Sequence, residues 1–291
     1  MFQGVFTALV TPFGKDGLLD LEALRSIVQM QTDAHVDGLV PCATTGESPT
    51  LSDEERRKIV STVIETAGST KVIVGAGTNN TESSVALTME AKDLGADGVL
   101  SVCPYYNKPT QKGMYEHFRA IASVGLPVVV YNVPGRTGCN VSVNTLMDLS
   151  ALENIAGVKD ATGDIQQTMS IIERAPENFS VLSGDDALTY PILSLGGDGV
   201  VSVASNLVPK DVVSMVRAAL DGRYAEAREI HYRLMPLFRA LFIETNPIPV
   251  KEAMNLCGIN VGGFRLPLCS MEEKNREALR EVLRSMNMVR P

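Results

Sequence analysis

Only three histidines, His35, His117 and His231, occur among the 291 residues, and they are too dispersed for an H-E-x-x-H pair. The five cysteines, Cys42, Cys103, Cys139, Cys257 and Cys269, contain no CxxC step. Neither a thiolate metal knuckle nor a fully paired disulfide framework is therefore expected, and reduced structural thiols are the plainer reading. Basic blocks are missing as well. The positive residues are scattered, and a formal charge of -8 disfavours attraction to a nucleic-acid backbone. Apolar runs such as residues 127–133 are far shorter than the roughly 20 residues that cross a bilayer. Residues 1–10 lack the basic stretch and apolar core of a secretory leader. These absences lead to the expectation of a cytosolic protein with no metal, no nucleic-acid partner and no membrane anchor.

What is present is a globular composition, 45% hydrophobic and 21% charged, with 24 glycines as punctuation. Short β-rich runs alternate with helical periodicities. Strands are expected at 4–10, 38–41, 71–75, 98–103, 127–131, 155–159, 179–183 and 199–203. Between the second and third, Ser52 lies three positions before Glu55, and Ile59, Val60, Val63, Ile64 and Ala67 mark one helical face. That spacing predicts a capping box at the helix start. Three segments echo one another: Asp37-Gly38, Asp97-Gly98 and Asp198-Gly199 each lead into an aliphatic strand, which is consistent with repeated βα units or with a common local turn. Eight such units favour a closed (β/α)8 barrel (the TIM-barrel architecture, class α/β) over a doubly wound sheet. The doubly wound alternative rests on Gly75-x-Gly77 after the third strand, but the next glycine of a dinucleotide fingerprint is replaced by Asn80. Beyond residue 222 the strand signal ends and helices are expected at 224–242, 250–257 and 271–288. The expected division is a catalytic barrel at 1–222 and a C-terminal helical domain at 223–291. Met235, Tyr115 and His117 are read as packing or capping residues.

Catalytic groups of such barrels gather at the C-terminal ends of the strands. Those ends carry Thr44-Thr45-Gly46-Glu47, Tyr105-Tyr106, Tyr131, Lys159 and Ser183-Gly184-Asp185-Asp186. An ordinary lysine, with a pKa near 10.4, keeps only about one amine in two thousand neutral at pH 7, so a carbonyl nucleophile needs desolvation. Lys159, led in by Ile155-Ala156-Gly157-Val158, has the interior position for such a Schiff-base role; its bland alternative is a stem that packs while its ammonium reaches solvent. Thr44 and Thr45 can hold a carboxylate or relay a proton, or simply stabilise a turn. Tyr106 and Tyr131 offer phenolic donors, or an amphipathic wall. Arg136 can clamp a carboxylate with its planar fork, or fasten its Pro-Gly loop through a salt bridge. Asp185 and Asp186 fit a helix-capping role better than acid/base work.

Taken in order, Thr44-Thr45-Gly46-Glu47-Ser48, Pro104-Tyr105-Tyr106, Tyr131-Asn132-Val133-Pro134-x-Arg136-Thr137-Gly138, Gly157-Val158-Lys159-Asp160-Ala161-Thr162-Gly163 and Asn246-Pro247-Ile248-Pro249-Val250-Lys251 resemble the dihydrodipicolinate synthase family of pyruvate-dependent class I aldolases. The resemblance covers essentially the whole chain. It implies that Lys159 forms an imine with pyruvate, that Tyr131 moves protons beside it, and that Thr44 links Tyr131 to Tyr106. It further implies that Thr45 binds the pyruvate carboxylate, with the Val201 backbone lining the site and Gly184 shaping the pocket, and that Arg136 places the carboxylate of L-aspartate 4-semialdehyde. No metal or organic cofactor is implied. The assembly implied is a homotetramer of tight dimers in which Tyr106 enters the neighbouring subunit's site.

Two departures from the family pattern stand out. Cys42-Ala43 precedes the threonine pair where a glycine is common, which suggests a reshaped bend. In the region that forms a lysine-feedback pocket in some relatives, Ser48 and Asn79 are compatible, whereas Asp53, Arg56 and Ser83 replace two histidines and a glutamate. A cation at Arg56 opposes a cationic ligand, so weak or absent lysine inhibition is expected, and potent inhibition by micromolar lysine in a steady-state assay contradicts it. The rival enzymatic reading is a sugar-acid aldolase sharing the pyruvate imine, and the rival class is a noncatalytic metabolite-binding barrel.

Overall fold

A computed structural model describes residues 1–289. Eight parallel strands close into a barrel in chain order: β1 (Gly4–Ala8), β2 (Gly38–Val40), β3 (Lys71–Gly75), β4 (Gly98–Val102), β5 (Val128–Asn132), β6 (Ile155–Asp160), β7 (Ser180–Ser183) and β8 (Gly199–Ser202), with β8 pairing back onto β1. All eight expected strands are present, with ends shifted by at most two residues. Helices α1 (Leu21–Asp33), α2 (Asp53–Ala67), α3 (Thr81–Asp93), α4 (Gln111–Ala122), α5 (Val143–Ser150), α6 (Ile165–Arg174), α7 (Thr189–Ser194) and α8 (Pro209–Leu220) each follow a strand. Closure removes the doubly wound alternative, and the glycines behind it have a packing role. A Cβ on Gly75 would lie 2.3 Å from the Cys42 carbonyl oxygen, and one on Gly77 would lie 2.2 Å from the Val102 nitrogen.

The strands are apolar on both faces because both faces are buried. Outward residues such as Val5, Val128, Val130, Val158 and Val200 pack with the helices, while Phe6, Val40, Ile73, Leu100, Val129, Leu182 and Val201 fill the barrel interior. Local sequence starts the helices cleanly. Asp20, Ser52, Asn80, Thr110, Ser142 and Asp164 each accept a first-turn N–H, and Ser52 with Glu55 forms the expected capping box. Each such cap stabilises by about 1 kcal/mol. His117 on α4 is buried, bonded through Nδ1 to Thr81 Oγ1 at 2.9 Å, and burial pushes its pKa down to about 4.

The three Asp-Gly echoes share one structural task at the N-terminal end of the barrel. Asp37, Asp97 and Asp198 accept the N–H of Val5, Val72 and Val181 through Oδ2, all at 2.8 Å. Each aspartate N–H in turn donates to the carbonyl of the same valine, at 2.8, 2.9 and 2.9 Å. The pairs β1–β2, β3–β4 and β7–β8 are thereby pinned. At β5–β6 the Asn154 carbonyl takes the Val128 N–H instead, and the register then shifts between Val128 and Val129.

Beyond Gly222 and Arg223 the chain continues as α9 (Tyr224–Ala240), α10 (Ile248–Leu256) and α11 (Glu273–Ser285). Their apolar faces, with Leu234, Leu237, Val250, Met254, Leu279 and Leu283, join the same hydrophobic cluster as the barrel's outer face; Met235 packs partly buried against it. The loops between these helices cross the C-terminal end of the barrel.

Candidate active site

Lys159 stands on β6 directly in register with Tyr131 on β5. Its side chain is buried, and its amine lies 4.0 Å from the centre of the Tyr131 ring. The other buried lysine, Lys251, pairs with Glu47 at 2.7 Å, whereas Lys159 forms no ion pair among the described residues. It faces a cavity of about 150 Å³ at the C-terminal end of the barrel.

Six of the eight expected site residues line that cavity: Lys159, Tyr131, Thr44, Thr45, Arg136 and Gly184. They come from β5, β6 and the loops after β2, β5 and β7, so closure of the barrel brings them together. Gly184 has a steric reason to be glycine, since a Cβ there would lie 2.7 Å from the Ala161 methyl and 3.1 Å from Lys159 Cε. The Val201 side chain is placed lower, in the interior cluster, and Val203, just after β8, lines the cavity. Tyr106 lies outside it, 88% exposed and in the left-handed region with φ 72°. Among the described residues no hydrogen bond joins Thr44, Tyr131 and Tyr106, so a single chain does not close a relay through all three.

The model of the dihydrodipicolinate synthetase family matches residues 1–286. The chain belongs to the dihydrodipicolinate synthetase family. A relative from Aquifex aeolicus, 4-hydroxy-tetrahydrodipicolinate synthase, is 50% identical over 291 residues, covering 99% of each chain. A 4-hydroxy-tetrahydrodipicolinate synthase from Methanocaldococcus jannaschii is 47% identical, covering 99% of this chain and all of its own. The crystal structure of a dihydrodipicolinate synthase from Thermotoga maritima superposes with a TM-score of 0.97 at 47% identity, covering 99% of this chain and 100% of that one.

Within this family fold, sequence reasoning missed Asn246 as a site residue. It is buried, its Nδ2 donates to Thr45 Oγ1 at 2.9 Å, and its carbonyl accepts from Arg136 Nη2 at 3.0 Å. Arg136 is therefore fastened by a main-chain carbonyl, and forms no ion pair among the described residues. Asn246 Oδ1 is buried with no partner. The Asn-Pro step of the C-terminal motif was a visible signal; the contact, across 201 positions, was not.

The two loop aspartates act structurally. Asp185 accepts the Ala187 N–H at 2.8 Å, while buried Asp186 accepts the Ser202 hydroxyl and the N–H groups of Val203 and Ala204. Burial raises the Asp186 pKa, against those hydrogen bonds. The bend before the threonine pair puts its left-handed residue at Cys42, φ 55°. A non-glycine residue there costs about 1–2 kcal/mol. Burial also pushes the Cys42 thiol up to about 11.

The C-terminal segment holds the β2 loop from behind. Lys251 donates to Glu47 and to the Thr11 and Gly263 carbonyls, and lies over the Phe13 ring at 4.6 Å. Burial lowers the Lys251 pKa while Glu47 opposes the shift. Arg265 binds both carboxylate oxygens of Glu55, and that hydrogen bonding holds the Glu55 carboxyl at about 2. A second cavity, of about 410 Å³, adjoins the first and shares Thr44, Val133, Arg136 and Asn246 with it. Ser48, Asp53 and Arg56 line it; Asn79 and Ser83 do not.

Proposed function

We propose that the chain condenses pyruvate with L-aspartate 4-semialdehyde to give 4-hydroxy-tetrahydrodipicolinate and water, in the diaminopimelate route to lysine. The observation that carries the reading is the Lys159 amine, buried without a counter-charge and facing a small polar chamber at the end of a closed barrel. Full-length likeness at about half identity to chains named for this activity supports it.

In the proposed reaction the Lys159 amine attacks the C2 carbonyl of pyruvate and water leaves, giving an imine. Loss of a C3 proton makes an enamine, whose C3 attacks the aldehyde carbon of the second substrate. The substrate's own amine then attacks C2, closes the ring and displaces Lys159 as the free amine. Tyr131, beside the nitrogen, gives and takes protons, with Thr44 joining it to Tyr106. Thr45, held by Asn246, binds the pyruvate carboxylate, and the Val201 backbone borders the same site. Gly184 leaves the space that the imine occupies, and Arg136 receives the second carboxylate. No metal or organic cofactor enters this scheme.

The exposed ring of Tyr106 fits donation to a neighbouring subunit, which supports a homotetramer of tight dimers. Exposed Met169, Leu195 and Tyr232, on α6, after α7 and on α9, offer apolar surface for a further contact. Sedimentation velocity showing a monomer at assay concentration contradicts this assembly. A cytosolic location accords with the finding that no helix among the described residues is long and apolar enough to cross a membrane. Residues 1–222 are read as the catalytic domain and 223–291 as a helical domain that braces its open end.

Borohydride reduction in the presence of pyruvate, followed by peptide mass analysis, tests the mechanism. A pyruvyl adduct on Lys159 is expected, and turnover by Lys159→Ala is expected to fall at least about 10⁴-fold, the scale seen on removing a covalent nucleophile. Turnover without any adduct overturns the imine. Product analysis with aspartate semialdehyde against sugar aldehydes then separates this reaction from a sugar-acid aldolase, since only the former predicts preference for the amino-acid aldehyde.

A further inference from the structure

We propose that Asn132 is a positioning residue for the second substrate, fixing the loop that carries Arg136 so that its guanidinium meets the incoming carboxylate. The inference rests on the condensation proposed above. Asn132 ends β5 directly after Tyr131, and strand alternation turns the two side chains apart. Tyr131 belongs to the interior cluster, while Asn132 is fully buried against the returning end of its own loop. Its Oδ1 accepts the Val141 N–H at 3.2 Å, and its Nδ2 donates to Asn140 Oδ1 at 2.8 Å. One amide thereby ties together two points nine positions apart, with the short helical turn of Arg136 between them.

The same amides reach the strand of Lys159. Asn140 Nδ2 donates to Gln167 Oε1 at 2.8 Å, Gln167 Nε2 donates back to Asn140 Oδ1 at 3.2 Å, and Gln167 lies on α6, which follows β6. The Asn132 carbonyl oxygen also accepts the Ala161 N–H at 2.9 Å, just beyond β6. The main chain under Arg136 is thus referenced to both strands that bear the reacting side chains. Arg136 needs this support. It is exposed, and its guanidinium makes one hydrogen bond among the described residues, to the Asn246 carbonyl. A long side chain loses its aim when its backbone drifts, and a misplacement of about 1 Å can cost about a hundredfold in rate. Asn132 lines neither the Lys159 chamber nor the larger cavity, so its influence passes through the loop.

Steady-state kinetics of Asn132→Ala, Arg136→Ala and the double variant, alongside borohydride trapping of pyruvate, test it. Arg136→Ala is expected to raise KM for aspartate semialdehyde at least about tenfold and Asn132→Ala at least about fivefold, with KM for pyruvate and the yield of Lys159 adduct within about twofold of wild type. The double variant is expected to stay within about twofold of Arg136→Ala, because two residues that act through one contact do not add. If Asn132→Ala does not fold, Asn140→Ala, whose exposed side chain bridges Asn132 and Gln167, carries the same test with a rise of at least about threefold. An unchanged KM for the semialdehyde, an adduct yield that falls beyond that range, or effects that multiply in the double variant each overturn the role of Asn132 and leave the condensation standing. A wild-type protein that forms no adduct, or Arg136→Ala with unaltered KM, overturns the reading beneath it, and this inference with it.

Discussion

The two ends of the barrel treat polar groups in opposite ways. At the N-terminal end, Asp37, Asp97 and Asp198 each complete a reciprocal pair with a valine of the preceding strand, and the same two bonds recur three times. At the C-terminal end partners are withheld. Lys159 has no counter-charge, while Arg56 Nε and Asn246 Oδ1 are buried without a hydrogen bond. Satisfied groups fix the shape of the barrel, and unsatisfied ones leave binding capacity for something the chain does not contain. The Glu47–Lys251 pair crosses this division, being fully satisfied yet located beneath the threonine loop.

Breaking that pair gives the largest expected change in stability. Both side chains are fully buried, so Glu47→Ala, which strands a charged Lys251, is expected to destabilise by about 3–5 kcal/mol in a denaturant titration. Lys251→Met combined with Glu47→Leu is expected to recover much of that loss; a double variant as unstable as the single one means that shape, and not charge, holds the loop. Next in size is Asn246→Ala, which frees both Thr45 and Arg136. A fall in kcat/KM of about tenfold to a hundredfold, or about 1.4–2.7 kcal/mol, is expected with little change in unfolding midpoint. The smallest effect belongs to the opposite end. Asp37→Ala orphans the Val5 N–H and is expected to cost about 1–2 kcal/mol of stability while kcat stays within about twofold. If Asp37→Ala depressed catalysis more than Asn246→Ala, the contrast between the two ends would be wrong.

The architecture was legible because each layer obeys a local rule. Strands buried on both faces read as unbroken apolar runs, and Ser52 with Glu55 announced a helix start by their spacing alone. Lys159, Tyr131 and the threonine pair were legible because strand ends in a barrel converge. The Asp-Gly echo was visible too, although sequence could not tell a shared pin from a common turn, since the partner valines lie 17 to 32 residues away. Asn246 and Lys251 were illegible as partners of Thr45 and Glu47 for the same reason on a larger scale, because 201 and 204 positions separate them. The Val201 side chain lies one layer below the residues that line the cavity. Strand period identifies which residues face inward, but the level at which the packed interior gives way to open space depends on the size of every neighbouring side chain.

The register shift between β5 and β6 decides which side of the barrel wall carries the amine. Along β6, Ile155 and Val158 pack outward and Ala156 and Lys159 inward, an order that strict alternation forbids, because residues 155 and 159 should share a face. One supernumerary residue near Ala156 resets the parity and brings Lys159 level with Tyr131. With a regular ladder, the same sequence would direct this side chain among the surrounding helices, where no carbonyl compound could reach it.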